Sequence, residues 1–522
     1  MTRRTLCALP CFCSGLRAFD WPNWRGPSFD GVSQEKSLPL KWSRTENVRW
    51  RVPLAERGNS TPILSGDRIY LTQPLEKQNR RTLMCLDRAS GKTLWQAGLE
   101  YSASDRTHAT NPQCSSSPVT DGKRVYGWLG SAGFVAFDLK GKELWRRELG
   151  KQDHVWGYGS SPILHGGLVI LNFGPGDPSF LVAMDAASGK TEWKVELAPR
   201  LPAEDVVKAG ELPPRPDGAI RSDFFGSWTT PVVVRASGRD EMVCNLARRV
   251  VAFDPKTGRD LWTCGGFADL AYGSPAPGLD DKGPLVVSLG GFGGPGLAVH
   301  CGGSGDVTAT RRMWHVAHTP ARIGTSVIYQ GYIYAVGING VAECLELATG
   351  RPVWTQRLAG KQGNNAIWSS PLRSGDKLYV MNQSGDTFVY RASPNFELLA
   401  TNALRKTRTP LWLPRMAASF CVRTKACGVS LSNVFRSGVE QAISLSYSFF
   451  NNQTSDSLDL FLQFRARSSG RSQVSTSLLS FRDSRGTMNS LNSPISLPSR
   501  TGSTRSPLIR KGACPYPDVR TM

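Results

Sequence analysis

Ala183-Met184-Asp185-Ala186-Ala187-Ser188-Gly189-Lys190-Thr191-Glu192-Trp193 reads as two short strands joined by a tight turn. Met184 and the apolar residues before it end one strand, Asp185 and Gly189 make the reversal, and Trp193 begins the next. An Asp side chain can hydrogen-bond the backbone two residues on, and Gly accepts the positive φ that closes such a turn. A single copy would define only a hairpin.

The unit recurs along the chain. Cys85-Leu86-Asp87 with Gly91 and Trp95, Ala136-Phe137-Asp138 with Gly141 and Trp145, and Ala252-Phe253-Asp254 with Gly258 and Trp262 repeat it. Ala342 to Trp354 keeps Gly350 and the Trp but has Leu345 and Glu346 near the Asp position. A weaker copy runs from Ala298-Val299-His300 to Trp314, stretched by Gly302, Gly303 and Gly305. Successive Trp residues are 50, 48, 69, 52 and 40 positions apart. Strand-type repeats with a period near ~40–50 residues indicate a β-propeller.

A second motif opens each repeat: Ser60-Thr61-Pro62, Ser116-Ser117-Pro118, Ser160-Ser161-Pro162, Thr229-Thr230-Pro231, Gly273-Ser274-Pro275, Gly324-Thr325-Ser326 and Ser369-Ser370-Pro371. Proline is tolerated at a strand edge, where it need not supply a ladder donor. Opening strand, polar turn, two further strands, Asp/Gly turn and Trp strand make four-stranded blades. The fold expectation is therefore all-β: a β-propeller with about seven recognisable blades and an incomplete eighth. Asn47-Val48-Arg49-Trp50-Arg51-Val52-Pro53-Leu54 is a Trp strand with no hairpin partner before it. Pairing with C-terminal sequence, for which Ala417 to Arg423 is the candidate, would close the ring without two exposed edges.

The 522 residues divide into 1–18, expected to be a signal peptide; 19–44, an irregular entry segment; 45–404, the propeller; and 405–522, a basic tail rich in Ser and Arg. Arg3 and Arg4 before a short apolar run carry the export reading, which places the protein in the periplasm or otherwise outside the cytoplasm. No uncharged apolar run reaches the ~18 residues of a membrane-spanning helix. From residue 400 on, 17 Lys and Arg face 5 Asp and Glu, so the tail carries +12 of the chain's +21. It lacks periodicity and reads as disordered, or as a continuation foreign to the repeat, such as follows a reading-frame change. A Pro-rich insertion from Ala198 to Asp217 enlarges the 69-residue interval and belongs on the surface. The 12 cysteines show no metal-type spacing, and most sit where a small apolar residue would serve.

The Asp-x-x-x-Gly-x-x-x-Trp unit and the Ser-Ser-Pro openings resemble the pyrroloquinoline-quinone-type repeat family over about residues 45–399. That family includes quinone-dependent alcohol dehydrogenases, the lipoprotein that helps assemble outer-membrane barrels, and uncharacterised exported propellers. Trp21-Pro22-Asn23-Trp24-Arg25-Gly26-Pro27 looks like the start of the last group. The resemblance implies that Trp95, Trp145, Trp193, Trp262, Trp314 and Trp354 dock between blades. Family dehydrogenases place a vicinal disulfide over the quinone and use an Asp base with Glu and Asn ligands to calcium. No two cysteines are adjacent here, and Asp87, Asp138, Asp185 and Asp254 already have a role in turns.

Loops preceding the opening strands converge on one rim of the central channel. They hold His108, Asn111, Gln113 and Cys114; His154, Trp156 and Tyr158; Phe225 and Trp228; Tyr272; Arg322; and Asn364, Asn365 and Trp368. Aromatic and amide side chains in a ring suit a planar ligand, a sugar or a peptide. No metal is expected, because His108 and His154 lack third and fourth partners. Walker, GxSxG and HExxH motifs are absent. The functional expectation is an exported, non-catalytic, monomeric scaffold that binds a protein or small molecule on its propeller face, without a cofactor and with scope for outer-membrane association. A quinoprotein oxidoreductase with pyrroloquinoline quinone and calcium is the competing reading, and nucleic-acid binding through the basic tail is the third.

Overall fold

The computed structural model describes residues 20–35, 38–103, 105–108, 110–197, 226–291, 293–360 and 365–404, together with the strands Ala418–Arg423, Glu440–Ile443, Gln463–Arg465 and Val474–Thr476. The expected signal peptide, the Pro-rich insertion, Phe225, Asn364 and most of the basic tail lie outside these residues. Residues 1–452 form one compact unit and 453–522 another, whose described part is the antiparallel pair of Gln463–Arg465 with Val474–Thr476.

Seven sheets follow one another in the first unit, each an antiparallel meander. Blade 1 consists of Ile63–Ser65, Arg68–Leu75, Arg80–Asp87 and Thr93–Glu100. Blades 2 to 7 span residues 119–147, 163–196, 232–265, 276–316, 327–357 and 372–403. Strand interiors such as Phe180–Asp185 are buried at nearly every position, because blades stack on both faces. Alternate residues accordingly join different cores: Val182 and Met184 pack with blade 2, while Leu181 and Ala183 pack with blade 4. Among the described residues no helix is long and apolar enough to cross a membrane.

The Asp/Gly turns form as the sequence requires. Asp185 Oδ1 accepts the Ser188 N–H at 2.8 Å, and Gly189 closes the turn at φ +71°. Each following Trp then reaches into the next blade. Trp95 Nε1 donates to Leu139 O at 3.0 Å, Trp193 Nε1 to Pro255 O at 3.2 Å and Trp314 Nε1 to Leu347 O at 2.8 Å. Trp262 departs from the pattern, since blade 5 has the stretched turn. Its Nε1 donates within its own blade to Glu241 Oε2 at 2.7 Å, and the stretched segment adds Gly305–Asp306 as a parallel edge strand beside it.

The unpartnered strand Val48–Pro53 pairs antiparallel with Ala418–Arg423, which pairs in turn with Glu440–Ile443. Among the described residues this eighth blade has three strands, and Trp50 Nε1 donates to Arg88 O of blade 1 at 3.1 Å. The entry segment bonds to the innermost strands of the neighbouring blades. Trp21 exchanges both backbone hydrogen bonds with Leu64 of blade 1, Pro22 O accepts from Thr120 N of blade 2, and Val32–Ser33 adds parallel to Leu372–Ser374 of blade 7.

Candidate functional site

The two hydroxyl positions of the opening motif do different work. The first bonds within its blade: Ser160 Oγ donates to Asn172 O, and Ser369 Oγ donates to Met381 O. The second links blades. Thr61 N donates to Ser117 Oγ at 2.8 Å, Ser117 N to Ser161 Oγ at 3.0 Å, and Ser161 N to Thr230 Oγ1 at 2.9 Å. The series continues from Thr230 N to Ser274 Oγ at 2.8 Å, Ser274 N to Thr325 Oγ1 at 2.9 Å, and Thr325 N to Ser370 Oγ at 2.9 Å. A chain of hydroxyls thus runs round the channel from blade 1 to blade 7. Its purpose is local: the first backbone N–H of each opening strand is buried, and a buried donor needs an acceptor.

Where this chain lines the channel, a cavity of about 190 Å³ lies between the loops that precede the opening strands and the entry segment. Of the sequence-predicted rim residues, Asn111, Trp156, Trp228, Tyr272 and Trp368 line it. Trp228 stacks on Tyr272 with ring centroids 4.6 Å apart, and its Nε1 donates to Gly157 O at 2.9 Å. Asn111 Nδ2 donates to Trp156 O at 2.7 Å and Tyr158 O at 2.9 Å, which fixes the blade 3 loop against the blade 2 loop. Trp156 in turn packs on His108, whose Nδ1 meets Thr110 Oγ1 at 2.7 Å. Burial holds the His108 imidazole below its ordinary value.

The remaining rim candidates point into loop packing and not into the cavity. His154 is fully buried, accepts the Trp156 N–H on Nδ1 at 3.1 Å and meets the edge of Trp228. Tyr158 is buried against Trp128, and its hydroxyl accepts from Cys114 N at 3.0 Å. Gln113 donates to Asp105 O at 3.2 Å, beside the buried ion pair of Asp105 with Arg81. Arg322 is paired with Glu343 in the interior, and Asn365 Oδ1 accepts from Gly360 N at 2.9 Å. None of these five is among the cavity-lining residues.

Four lining residues that sequence reasoning placed in an irregular lead-in come from the entry segment: Trp21, Trp24, Arg25 and Gly31. Arg25 is 4% exposed and ties blade 6 to blade 7, with Nη2 donating to Ser326 O at 2.9 Å and Nη1 to Pro371 O at 3.0 Å. Desolvation pushes its guanidinium down to about 10. In the sequence Arg25 only follows two Trp residues in the entry segment, at no repeat position.

The cysteines Cys85, Cys114, Cys244, Cys264, Cys301 and Cys344 are free and buried, and burial raises every one of these thiols, Cys114 to about 12. They fill space and are not poised as nucleophiles.

Hairpins of Asp-turn and Trp strand, stacked as blades about a channel, define a propeller of the quinoprotein-repeat class. The chain belongs to the family described as outer membrane protein assembly factor BamB, whose model matches residues 42–216 and 246–412. Among solved structures it is similar to the quinohemoprotein alcohol dehydrogenase from Comamonas testosteroni, at 13% identity and a TM-score of 0.53, with 79% of this chain and 77% of that one covered. It is also similar to BamB from Moraxella catarrhalis, at 13% identity and a TM-score of 0.45, with coverage of 68% and 90%. No curated protein matches the sequence. At 13% identity the Comamonas testosteroni structure bears on the fold alone.

Proposed function

We propose that the protein is an exported, non-catalytic propeller that binds a partner or ligand at the loop end of its channel and serves in assembly. The observation that carries this reading is the composition of the cavity: aromatic rings, hydroxyls, amides and the Arg25 guanidinium, with no carboxylate, imidazole or thiol among the described lining side chains. Such a surface recognises by shape, stacking and hydrogen bonding, and offers nothing to accept a proton from a substrate. The family description supports a role in assembling outer-membrane proteins, and with it a periplasmic location at the outer membrane.

The competing quinoprotein reading asks for a calcium site and a catalytic base. Among the described residues no three His, Cys, Asp or Glu side chains are grouped to hold a metal, and the nearest amides, Asn59 and Asn111, are bonded to each other at 3.3 Å. The residues present do not fit calcium-bound quinone.

A photo-crosslinking amino acid tests the scaffold reading when placed at Lys151 in a rim loop, and at Lys256 in the Asp254 turn at the other end of the blades. A discrete polypeptide adduct at position 151 and none at 256, together with no alcohol-dependent dye reduction after incubation with pyrroloquinoline quinone and calcium, is expected. Dye reduction with turnover, or adducts at neither position, overturns it.

A further inference from the structure

The channel cavity has indoles at both ends and hydroxyls between them: Trp21 and Trp24 lie beside Arg25 in the entry segment. Trp156, Trp228 and Trp368 face it from the loops, and Ser117, Ser161 and Thr230 face it from the chain. Each of these three hydroxyl oxygens already accepts a backbone N–H of the preceding blade. Each keeps its O–H proton, with one further lone pair, to offer a ligand. Arg25 adds a positive charge at the entry-segment end. Its Nη atoms donate to the carbonyl oxygens of Asp30, Ser326 and Pro371, and no carboxylate oxygen is among these partners.

Asp30, whose carboxylate accepts the Val32 N–H, adds an opposite charge nearby, but desolvation of the guanidinium outweighs it. A buried cation so placed is costly, and an anion brought close recovers part of that cost. Among the described residues the cavity lining contains no Asp or Glu. Size narrows the choice further. A cavity of about 150 Å³ holds one benzene ring, so about 190 Å³ admits a ring with a small polar group.

We propose that the cavity binds a ligand carrying one flat ring and a carboxylate, with the ring among Trp156, Trp228 and Trp368 and the carboxylate directed toward Arg25 and the hydroxyls. The inference rests on the reading of the channel as a binding site. This chemistry has two sources: a free aromatic acid, and the C-terminal residue of a polypeptide ending in an aromatic side chain.

Isothermal titration of the full chain with phenylacetate and phenylacetamide, and with the peptide Gly-Gly-Phe as free acid and as C-terminal amide, tests it. The acid of at least one pair is expected to bind saturably and at least tenfold more tightly than its amide. Preference within the peptide pair marks the polypeptide source, and preference confined to phenylacetate marks the free acid. Trp368→Ala is expected to weaken the preferred acid about tenfold with an unchanged circular dichroism spectrum, and Arg25→Gln to abolish the acid preference. If Arg25→Gln does not fold, the acid-to-amide ratio of the unaltered chain decides alone. Equal binding of acid and amide, no binding by any of the four, or an acid signal that survives Trp368→Ala unchanged overturns the proposal. Loss of the acid preference with the rim adduct at position 151 intact sinks this inference and leaves the scaffold reading standing.

Discussion

Trp145 of blade 2 lies against Gly189 of blade 3: a Cβ on Gly189 would come within 2.5 Å of Trp145 Cδ2, and Trp145 Nε1 donates to Ala186 O at 3.2 Å. Gly141 meets Trp95, Gly258 meets Trp193 and Gly350 meets Trp314 in the same way, at 2.7 to 2.9 Å. The glycine of the repeat thus answers two demands, a positive φ and a seat for the preceding indole. Gly189→Ala is expected to cost about 2–5 kcal/mol, from left-handed strain of ~1–2 kcal/mol and overpacking of ~1–3 kcal/mol. Gly166→Ala, at φ +56° with nothing within 4 Å, bears the strain alone. Urea unfolding of both variants separates the two terms, and equal losses would show that the indole seat contributes nothing.

The repeat was legible because its physics is local and periodic. Asp185, Gly189 and Trp193 sit at fixed offsets whatever the blade, so spacing alone located turns and docking indoles. Trp262 shows the limit: its partner depends on the next blade's turn, and the stretched segment at Gly302 to Gly305 sends it to Glu241 instead. The site was read less well for the same reason. Within one loop, Trp156 lines the cavity while His154 and Tyr158 are buried behind it. No period inside an irregular loop says which side chain faces the channel. Arg25 was less legible still, since its partners Ser326 and Pro371 lie some three hundred residues away.

Ser161 carries the link between blades 2 and 3. Ser161→Ala leaves the buried Ser117 N–H without its acceptor and is expected to cost about 1–3 kcal/mol. Ser161→Thr keeps a hydroxyl, as blade 4 does with Thr230, and should retain most of the stability. Thermal unfolding of the pair is the measurement. Equal losses in both would mean that side-chain volume, and not the hydrogen bond, sets the cost.

Glu241 is fully buried and holds three donors: Trp262 Nε1 at 2.7 Å, Gly302 N at 2.9 Å and Arg239 Nε at 2.8 Å. Glu241→Ala strands the Trp262 indole N–H and the Gly302 N–H, while the half-exposed Arg239 turns to water, and is expected to destabilise by about 1–3 kcal/mol for each stranded donor. Glu241→Gln keeps one acceptor oxygen and should lose less. If denaturant midpoints show the two variants equal, the carboxylate's second oxygen carries the whole effect.

The turn carboxylates make stability depend on acid. The Ser188 hydroxyl, and then the Ser188 N–H, hold Asp185 below the usual carboxylate range, and the N–H groups of Lys142 and Lys140 do the same for Asp138. A carboxylate depressed in the folded state binds fewer protons there than in the unfolded chain. Its contribution is therefore complete above the unfolded value of about 4 and is lost as pH falls through the folded value. Urea midpoints should drop from pH 5 to pH 3. Asp185→Asn combined with Asp138→Asn should start lower at pH 7 and drop less. An unchanged acid drop in the double variant would remove these turns from the explanation.

Ring closure is tested at the eighth blade. Val48–Pro53 and Ala418–Arg423 pair with Arg51 opposite Phe420 and Val52 opposite Ser419. Opposed residues of an antiparallel pair lie within the ~4.4–6.8 Å Cα separation that a disulfide spans. Arg51→Cys with Phe420→Cys is expected to form an intramolecular crosslink under mild oxidation, identified by mass mapping of the joined peptides. Arg51→Cys with Val422→Cys, two residues out of register, is expected to crosslink several-fold less. Comparable yields from the two pairs would mean that this strand does not hold one register against Trp50. Closure would then fall to the entry segment, through Arg25 and the bridge of Trp21 with Leu64.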